Sequence, residues 1–257
     1  MPDMPYADVV TTACRAGDAI MAVYSRDFAV HQKSDDSPVT EADLAAHHII
    51  VADLQRLTPD IPILSEESAN APWEERRQWE RYWLVDPLDG TKEFIRKNGE
   101  FTVNIALIEQ GNPVWGVVYA PALDTLYYGG TATGDAVKVR AEQASPIHAS
   151  AAPEGRAGWR IVGSRSHQSP AFLEFLTGFD EPEIKSLGSS LKICLVAEGE
   201  ADLYPRLGPT SEWDTGAAHA VLLGAGGQLV VADTDEPLRY NQTDSVLNPF
   251  FIAKGKV

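Results

Sequence analysis

No run in this chain approaches the roughly 18 consecutive apolar residues of a membrane-spanning helix. The opening MPDMPYADVV also lacks the basic stretch and apolar segment of a secretory leader. The expectation is a cytoplasmic protein, with peripheral contact to an inner membrane left open. Cysteine is nearly missing: Cys14 and Cys194 are the only two, far apart and without CxxC or Cys/His spacing. That pattern argues against a disulfide framework and a zinc site, and both residues read as buried thiols in helical segments. Positive charge is scarce, with 21 Lys and Arg against 37 Asp and Glu, for a net charge of −16. Such a surface repels polyanions whose affinity comes from neutralising many phosphates, so DNA, RNA and anionic membrane are poor partners. A small phosphorylated metabolite is still compatible, because a few bound cations reverse the field locally.

What is present is an ordinary globular composition of 257 residues, 44% hydrophobic, enough to bury a sizeable core in one large unit or two small ones. Tyr6, Val9, Val10, Ala13, Ile20 and Tyr24 recur at helical steps. Thr40 followed by Asp43 resembles a capping box, which starts a second helix whose apolar face is Leu44, Ile50, Val51 and Leu54. IPILSEES and RYWLVDPLDGT read as short buried strands ending in acidic residues. FTVNIALIEQGNPVWGVVYAPALDTLYYGG reads as a meander turning at Gly111-Asn112-Pro113 and at Pro121. Residues 141–156 are rich in Ala, Ser, Pro and Glu and suit a connection, which divides the chain into an α+β unit of residues 1–146 and an α/β unit of residues 147–257. In the second unit GWRIVGS, EIKSLG, ADLYP, GGQLVVA and FFIAK read as strands, with SSLKICLVAEG and DTGAAHAVLLGAGG as helices between them.

Four acidic residues stand at element ends: Glu66 after IPILS, Asp86 and Asp89 after YWLV, and Asp214 ahead of a helix. A lone carboxylate at such a place is ordinarily a cap or a solvated turn. DPLDGT is harder to explain that way. Pro87 and Gly90 bend the chain so that both carboxylates turn toward one point and the Leu88 carbonyl becomes available, a set of hard oxygen donors suited to Mg²⁺. Carboxylates sharing one pocket at about 4 Å repel by on the order of 4 kcal/mol per pair at an effective dielectric near 20. Two or more Mg²⁺ ions relieve that repulsion and make the cluster a clamp for a phosphoryl group, for which hydrolysis is the natural chemistry.

SEES, WLVDPLDGTKEF and EWDTGAAHAVLLGAGG, in that order, resemble the three signatures of the inositol monophosphatase superfamily. With SPVTEAD, GVVYAPALDTLYYG, VGSRSH and GSSLKICLVAEGEADLYPRLGPTSEWDT, the chain from about Lys33 to about Gly227 resembles the CysQ-type 3'(2'),5'-bisphosphate nucleotidase branch. The resemblance implies a layered αβαβα sandwich and a lithium-sensitive, Mg²⁺-dependent phosphatase of sulfur metabolism with two or three ions per site. Its implied substrate is 3'-phosphoadenosine 5'-phosphate, or its sulfated form, and the chain would be a monomer or homodimer. Carried across residue by residue, it implies that Glu66, Asp86 and the Leu88 carbonyl hold one ion, and that Asp86, Asp89 and Asp214 hold a second. Glu66 would also help with a third. Gly90 and Thr91 would offer backbone N–H groups to the phosphate, and the Thr91 hydroxyl with Asp43 would activate water. Taken alone, Asp43 reads as a cap and Thr91 as a turn hydroxyl.

On the substrate side, Gly188, Ser189 and Ser190 open a helix with Lys192 in its first turn, able to meet a second phosphate or a ribose. Ser164, Arg165 and His167 in VGSRSH are candidates for the nucleoside end. Arg206 and Glu212 frame the loop leading to Asp214, where the family places substrate contacts, and Lys33 balances the acidic pocket. His47 and His48 are adjacent on a helix and point about 100° apart, so they do not form a metal pair. They read as structural, as do His31, His148 and His219. The segment WEERRQWERYW carries no assigned chemistry. Rival readings are an inositol monophosphatase or fructose-1,6-bisphosphatase activity on the same scaffold, and a silent metal-binding regulatory domain. The last would need a defective catalytic position, and Asp43, Glu66, Asp86, Asp89, Thr91 and Asp214 are all in place.

Overall fold

The computed structural model describes residues 4–26, 30–32, 38–68, 71–163 and 169–256. In chain order the elements begin with α1 (Tyr6–Tyr24), β1 (Val30–Gln32), β2 (Pro38–Thr40), α2 (Glu41–Leu57), β3 (Ile63–Ser65), α3 (Trp73–Arg76), β4 (Arg81–Asp89) and α4 (Thr91–Ile95). The meander follows as β5 (Thr102–Glu109), β6 (Asn112–Ala120), β7 (Thr125–Gly130), β8 (Asp135–Arg140) and β9 (Gln143–Pro146). The remainder is β10 (Arg160–Gly163), α5 (Pro170–Leu176), β11 (Glu183–Ser186), α6 (Leu191–Ala197), β12 (Leu203–Arg206), α7 (Gly216–Gly224), β13 (Gln228–Val231) and β14 (Phe251–Lys254). Single 3₁₀ turns occupy Glu66–Ser68, Pro121–Leu123 and Glu212–Asp214.

Seven strands, β3 to β9 in sequence order, form one sheet, parallel at β3/β4 and antiparallel elsewhere. Five strands form another in the order β11-β10-β12-β14-β13. The strands alternate sides: on β4 and β5, Trp83, Val85, Val103, Ile105 and Leu107 join the core under α1 and α2, while Tyr82, Leu84, Ala106 and Ile108 join the core shared with α6 and α7. Burial on both faces explains why these strands read as near-continuous apolar runs rather than alternating ones. Residues of α6 and α7 share that second core with Tyr204, Leu229, Phe251 and Ala253 of the five-stranded sheet, and Phe172 of α5 packs with Ile161 and Leu203 on its far side. The order of layers is therefore helix, sheet, helix, sheet, helix, as the resemblance implied.

Apolar residues surround α7 on every side, which suits its place in the middle layer. It approaches β6 so closely at Gly116 that a Cβ there would stand 2.5 Å from the Ala217 carbonyl oxygen. Three local expectations are corrected. Leu44 is 45% exposed, and α2 buries Ala42 and Ala46 beside the expected Ile50 and Leu54. The first hairpin of the meander turns at Gln110-Gly111, both at positive φ, and Asn112 and Pro113 already belong to β6. Residues 143–146, read as connection, pair with β8 as the edge strand β9, whose polar and exposed side chains carry no periodic apolar signal. Cys194 is buried but Cys14 only half so. Among the described residues no helix is long and apolar enough to cross a membrane.

Candidate active site

The end of β4 is where the chain leaves regular pairing. Asp86 faces Asn104 and Asp89 faces Thr102 on β5, with a register shift between them that leaves a bulge at the buried Pro87 and Leu88. The Leu88 N–H folds back onto Asp86 Oδ1 at 3.0 Å. Gly90 then turns the chain into α4 with φ of +91°, and a Cβ there would crowd the Glu100 carbonyl oxygen at 3.1 Å. Across the middle layer, Asp214 closes the 3₁₀ turn before α7 and is held in a capping box by the Ser211 N–H, 2.9 Å from its Oδ2. One carboxylate oxygen each from Asp86, Asp89 and Asp214 lies within 4.8 Å of the others, an arrangement able to hold a metal ion. Glu66, opening the turn after β3, approaches Asp86 closely enough for a side-chain hydrogen bond.

The electrostatics carry the same signature. Burial, followed by the charges of Glu66, Asp89 and Asp214, pushes the Asp86 carboxyl well above the usual carboxylate range. Burial first and Asp89 second push Asp214 to about 8, and burial raises Asp89 to about 6 against the opposing pull of Lys192. Carboxylates that disfavour one another's ionisation fit divalent cations, whose charge removes the penalty. Oxygen-only donors from Asp86, Asp89 and Asp214 suit a hard cation.

Beside this cluster, Asp43 is buried in the first turn of α2. Its Oδ2 accepts hydrogen bonds from the Thr40 N–H and hydroxyl, at 2.8 and 2.7 Å, completing the capping box. Its Oδ1 faces the Thr91 hydroxyl at 3.5 Å, and that hydroxyl lies equally far from the Leu88 carbonyl oxygen. Burial pushes Asp43 up to about 6, close to the range useful for a base at neutral pH.

A cavity of about 390 Å³ opens on Asp89 and Asp214, and it brings together Gly90, Ser189, Ser190, Lys192 and Arg206 from the substrate-side candidates. It also contains residues the sequence reading missed: Lys92 and Arg96, and Tyr204, over whose ring the Lys192 ammonium sits at 5.7 Å. Lys92 and Arg96 are four residues apart and share a helix face, and Tyr204 and Arg206 share a strand face, which is the signal that could have found them. Gly188 is buried, and a Cβ there would stand 2.7 Å from the Glu100 carbonyl oxygen, so it serves the approach of α6 to the site. Ser189 keeps a left-handed backbone at φ of +47°.

Two of the expected substrate contacts are engaged with the protein itself. The Ser190 N–H donates to Asp89 Oδ2 at 2.6 Å, and its buried hydroxyl donates to Asn104 Oδ1 at 2.9 Å beside Thr102, so it braces the bulge and Asp89. Glu212 is buried and does not line the cavity, and its Oε1 accepts the Asn241 N–H at 2.8 Å. Ser164, Arg165, His167 and Lys33 lie outside the described residues. His47 Nδ1 bonds the Ser65 hydroxyl and His219 Nδ1 the Tyr240 hydroxyl, as structural histidines do.

The family model described as "Inositol monophosphatase family" matches residues 4–255. Among curated proteins, the chain is 53% identical to the 3'(2'),5'-bisphosphate nucleotidase CysQ of Salmonella typhimurium over 246 residues, covering 95% of this chain and 96% of that one. It is 51% identical to the protein of the same name from Escherichia coli K12, with the same coverage. Among solved structures, CysQ from Bacteroides thetaiotaomicron superposes with a TM-score of 0.86 at 39% identity, covering 100% of this chain and 99% of that one. A Thermotoga maritima IMPase superposes at 0.75 and 26% identity, covering 95% and 89%. The chain belongs to the inositol monophosphatase family.

Proposed function

We propose that this protein is a Mg²⁺-dependent 3'(2'),5'-bisphosphate nucleotidase that hydrolyses 3'-phosphoadenosine 5'-phosphate to AMP and phosphate. The observation that carries the reading is one cavity that joins two kinds of group. It is lined by Asp89 and Asp214 of the carboxylate cluster and by Lys92, Arg96, Lys192 and Arg206, four cations against the further acid Glu93, in a chain of net charge −16. A phosphate bound at the carboxylates needs metal, whereas a second phosphate on the same small molecule meets fixed cations. The full-length similarity to proteins named as bisphosphate nucleotidases points the same way.

In this reading Asp86, Glu66 and the Leu88 carbonyl would hold one ion, and Asp86, Asp89 and Asp214 another, with Glu66 also available to a third. Mg²⁺ held there would supply charge neutralisation at the phosphoryl group and a lowered pKa for water. Gly90 and Thr91 present backbone N–H groups to the phosphate oxygens. The Thr91 hydroxyl passes its proton to Asp43 Oδ1 as it takes one from the attacking water, whose oxygen bonds phosphorus while the ester P–O bond breaks and the departing ribose oxygen takes a proton from solvent. Ser190 holds Asp89 in place through its N–H. Ser189, Lys192 and Arg206, with Lys92 and Arg96, receive the second phosphate and the ribose.

Chelation tests this directly. Exhaustive removal of divalent ions abolishes phosphate release and added Mg²⁺ restores it, and Asp86→Asn causes the largest loss of any single ligand change because Asp86 serves two ions. Turnover that survives chelation contradicts the mechanism.

A further inference from the structure

The segment from Tyr240 to Asn248 contains no helix or strand, yet it lies pinned along the back of the turn that carries Asp214. Asn241 donates its N–H to Glu212 Oε1, Val246 accepts the Glu212 N–H at 2.8 Å, and Asn248 donates its N–H to the Thr210 carbonyl at 2.9 Å. The Asn248 amide nitrogen also lies 2.7 Å from the Ser211 carbonyl oxygen and 3.1 Å from the Thr215 hydroxyl. Glu212 is the buried carboxylate of this seam, while the exposed Asp244 carboxylate lies 3.8 Å from the Arg76 guanidinium. Glu212 is 4% exposed and, unlike Asp214, does not line the active-site cavity.

The far end of the strap is anchored by Arg76, itself only 4% exposed, from the segment that carried no assigned chemistry. Its guanidinium donates to Asn241 Oδ1 and to the Asp244 carbonyl, both at 2.8 Å, and the Asn241 amide donates back to the Arg76 carbonyl at 2.6 Å. Asn241 thus bridges a buried cation on one side and a buried carboxylate on the other. Their charges are complementary, and Arg76 pulls against the burial that raises Glu212. Removing one member of such a set leaves buried polar groups unpaired, which costs more than the lost contact.

We propose that Glu212 is a positioning residue for Asp214: with Arg76 and Asn241 it locks the strap behind the Ser211–Thr215 turn and so fixes where the Asp214 carboxylate stands. The turn is short, and Glu212 and Asp214 are two residues apart in one 3₁₀ turn, so a shift of the first displaces the second. The Thr215 hydroxyl donates to the Glu212 carbonyl at 3.1 Å, which ties the start of α7 to the same point. This inference rests on Asp214 being a metal ligand.

The test is Mg²⁺ binding by titration calorimetry on the full chain, with circular dichroism as a check of folding. Glu212→Ala weakens Mg²⁺ binding about tenfold, the equivalent of about 1.4 kcal/mol, while Glu212→Gln, which still accepts the Asn241 N–H, stays within about twofold of the unaltered protein. Asn241→Ala, which removes the side-chain link between Arg76 and the strap but keeps the backbone N–H to Glu212, weakens binding in the same direction and decides the matter if Glu212→Ala does not fold. Unaltered Mg²⁺ affinity in the folded Glu212→Ala protein, or a rise in substrate KM as its only effect, overturns the proposal. Asp214→Asn separates the two levels. If it binds Mg²⁺ normally, the reading of Asp214 as a ligand fails, and if it alone loses affinity, only the positioning role of Glu212 fails.

Discussion

Thr91 Oγ1 stands 3.5 Å from Asp43 Oδ1, the carboxylate oxygen that Thr40 leaves untouched. Capping and chemistry are therefore not alternatives at Asp43, because each uses a different oxygen. Asp43→Asn keeps an acceptor for the Thr40 N–H, so the melting temperature changes little, while the loss of the proton acceptor lowers kcat by about 10² or more with KM nearly constant. Thr91→Ala behaves alike. Steady-state kinetics beside a thermal melt checks both, and a pure rise in KM would mark the pair as binding residues.

Ser190 and Lys192 lie two residues apart and separate in the same way. Ser190→Ala strands the polar groups of Thr102 and Asn104 beneath the bulge, so stability falls by about 1–3 kcal/mol, read by denaturant unfolding. Lys192→Ala leaves the fold intact and erodes the preference for a bisphosphate over a monophosphate substrate. If Ser190→Ala instead changes only KM, its hydroxyl meets substrate after all.

Metal and pH are linked through the acidic cluster. Asp43 and Asp89 are raised from 3.8 to about 6 and Asp214 from 3.8 to about 8, chiefly by burial. The folded state therefore binds more protons than the unfolded chain across that range, and stability contributed by these groups is lost as pH rises from about 4 to about 8. Cations reverse the sign because they bind the ionised form. Scanning fluorimetry on chelated protein is expected to show a lower melting temperature near pH 8 than near pH 6, and a larger Mg²⁺-induced rise near pH 8. A Mg²⁺ shift that is independent of pH contradicts the cluster as the binding site.

Much of this was legible beforehand because it depends on local chemistry. Thr40 and Asp43 announce a capping box through their spacing, and DPLDGT announces a bend with two carboxylates because Pro87 and Gly90 leave the backbone few options. Glu212 shows where such reading stops. Its neighbours in SEWD are the same whether its carboxylate points into the cavity or behind it, and the choice is made by Asn241 and Arg76, distant in sequence. Ser190 was placed at the correct helix start, but its orientation was set by Asn104 and Thr102 across the sheet. Strand β9 was missed because an edge strand with exposed polar side chains has no apolar period to detect.

The central claim is that one cavity joins a metal cluster to cations that recognise a second phosphate. The most direct measurement is kcat/KM for phosphate release, in Mg²⁺, from 3'-phosphoadenosine 5'-phosphate, AMP, inositol 1-phosphate and fructose 1,6-bisphosphate. The account predicts at least about tenfold higher efficiency on 3'-phosphoadenosine 5'-phosphate than on each of the others, about 1.4 kcal/mol of transition-state binding. Equal or higher efficiency on inositol 1-phosphate would contradict it.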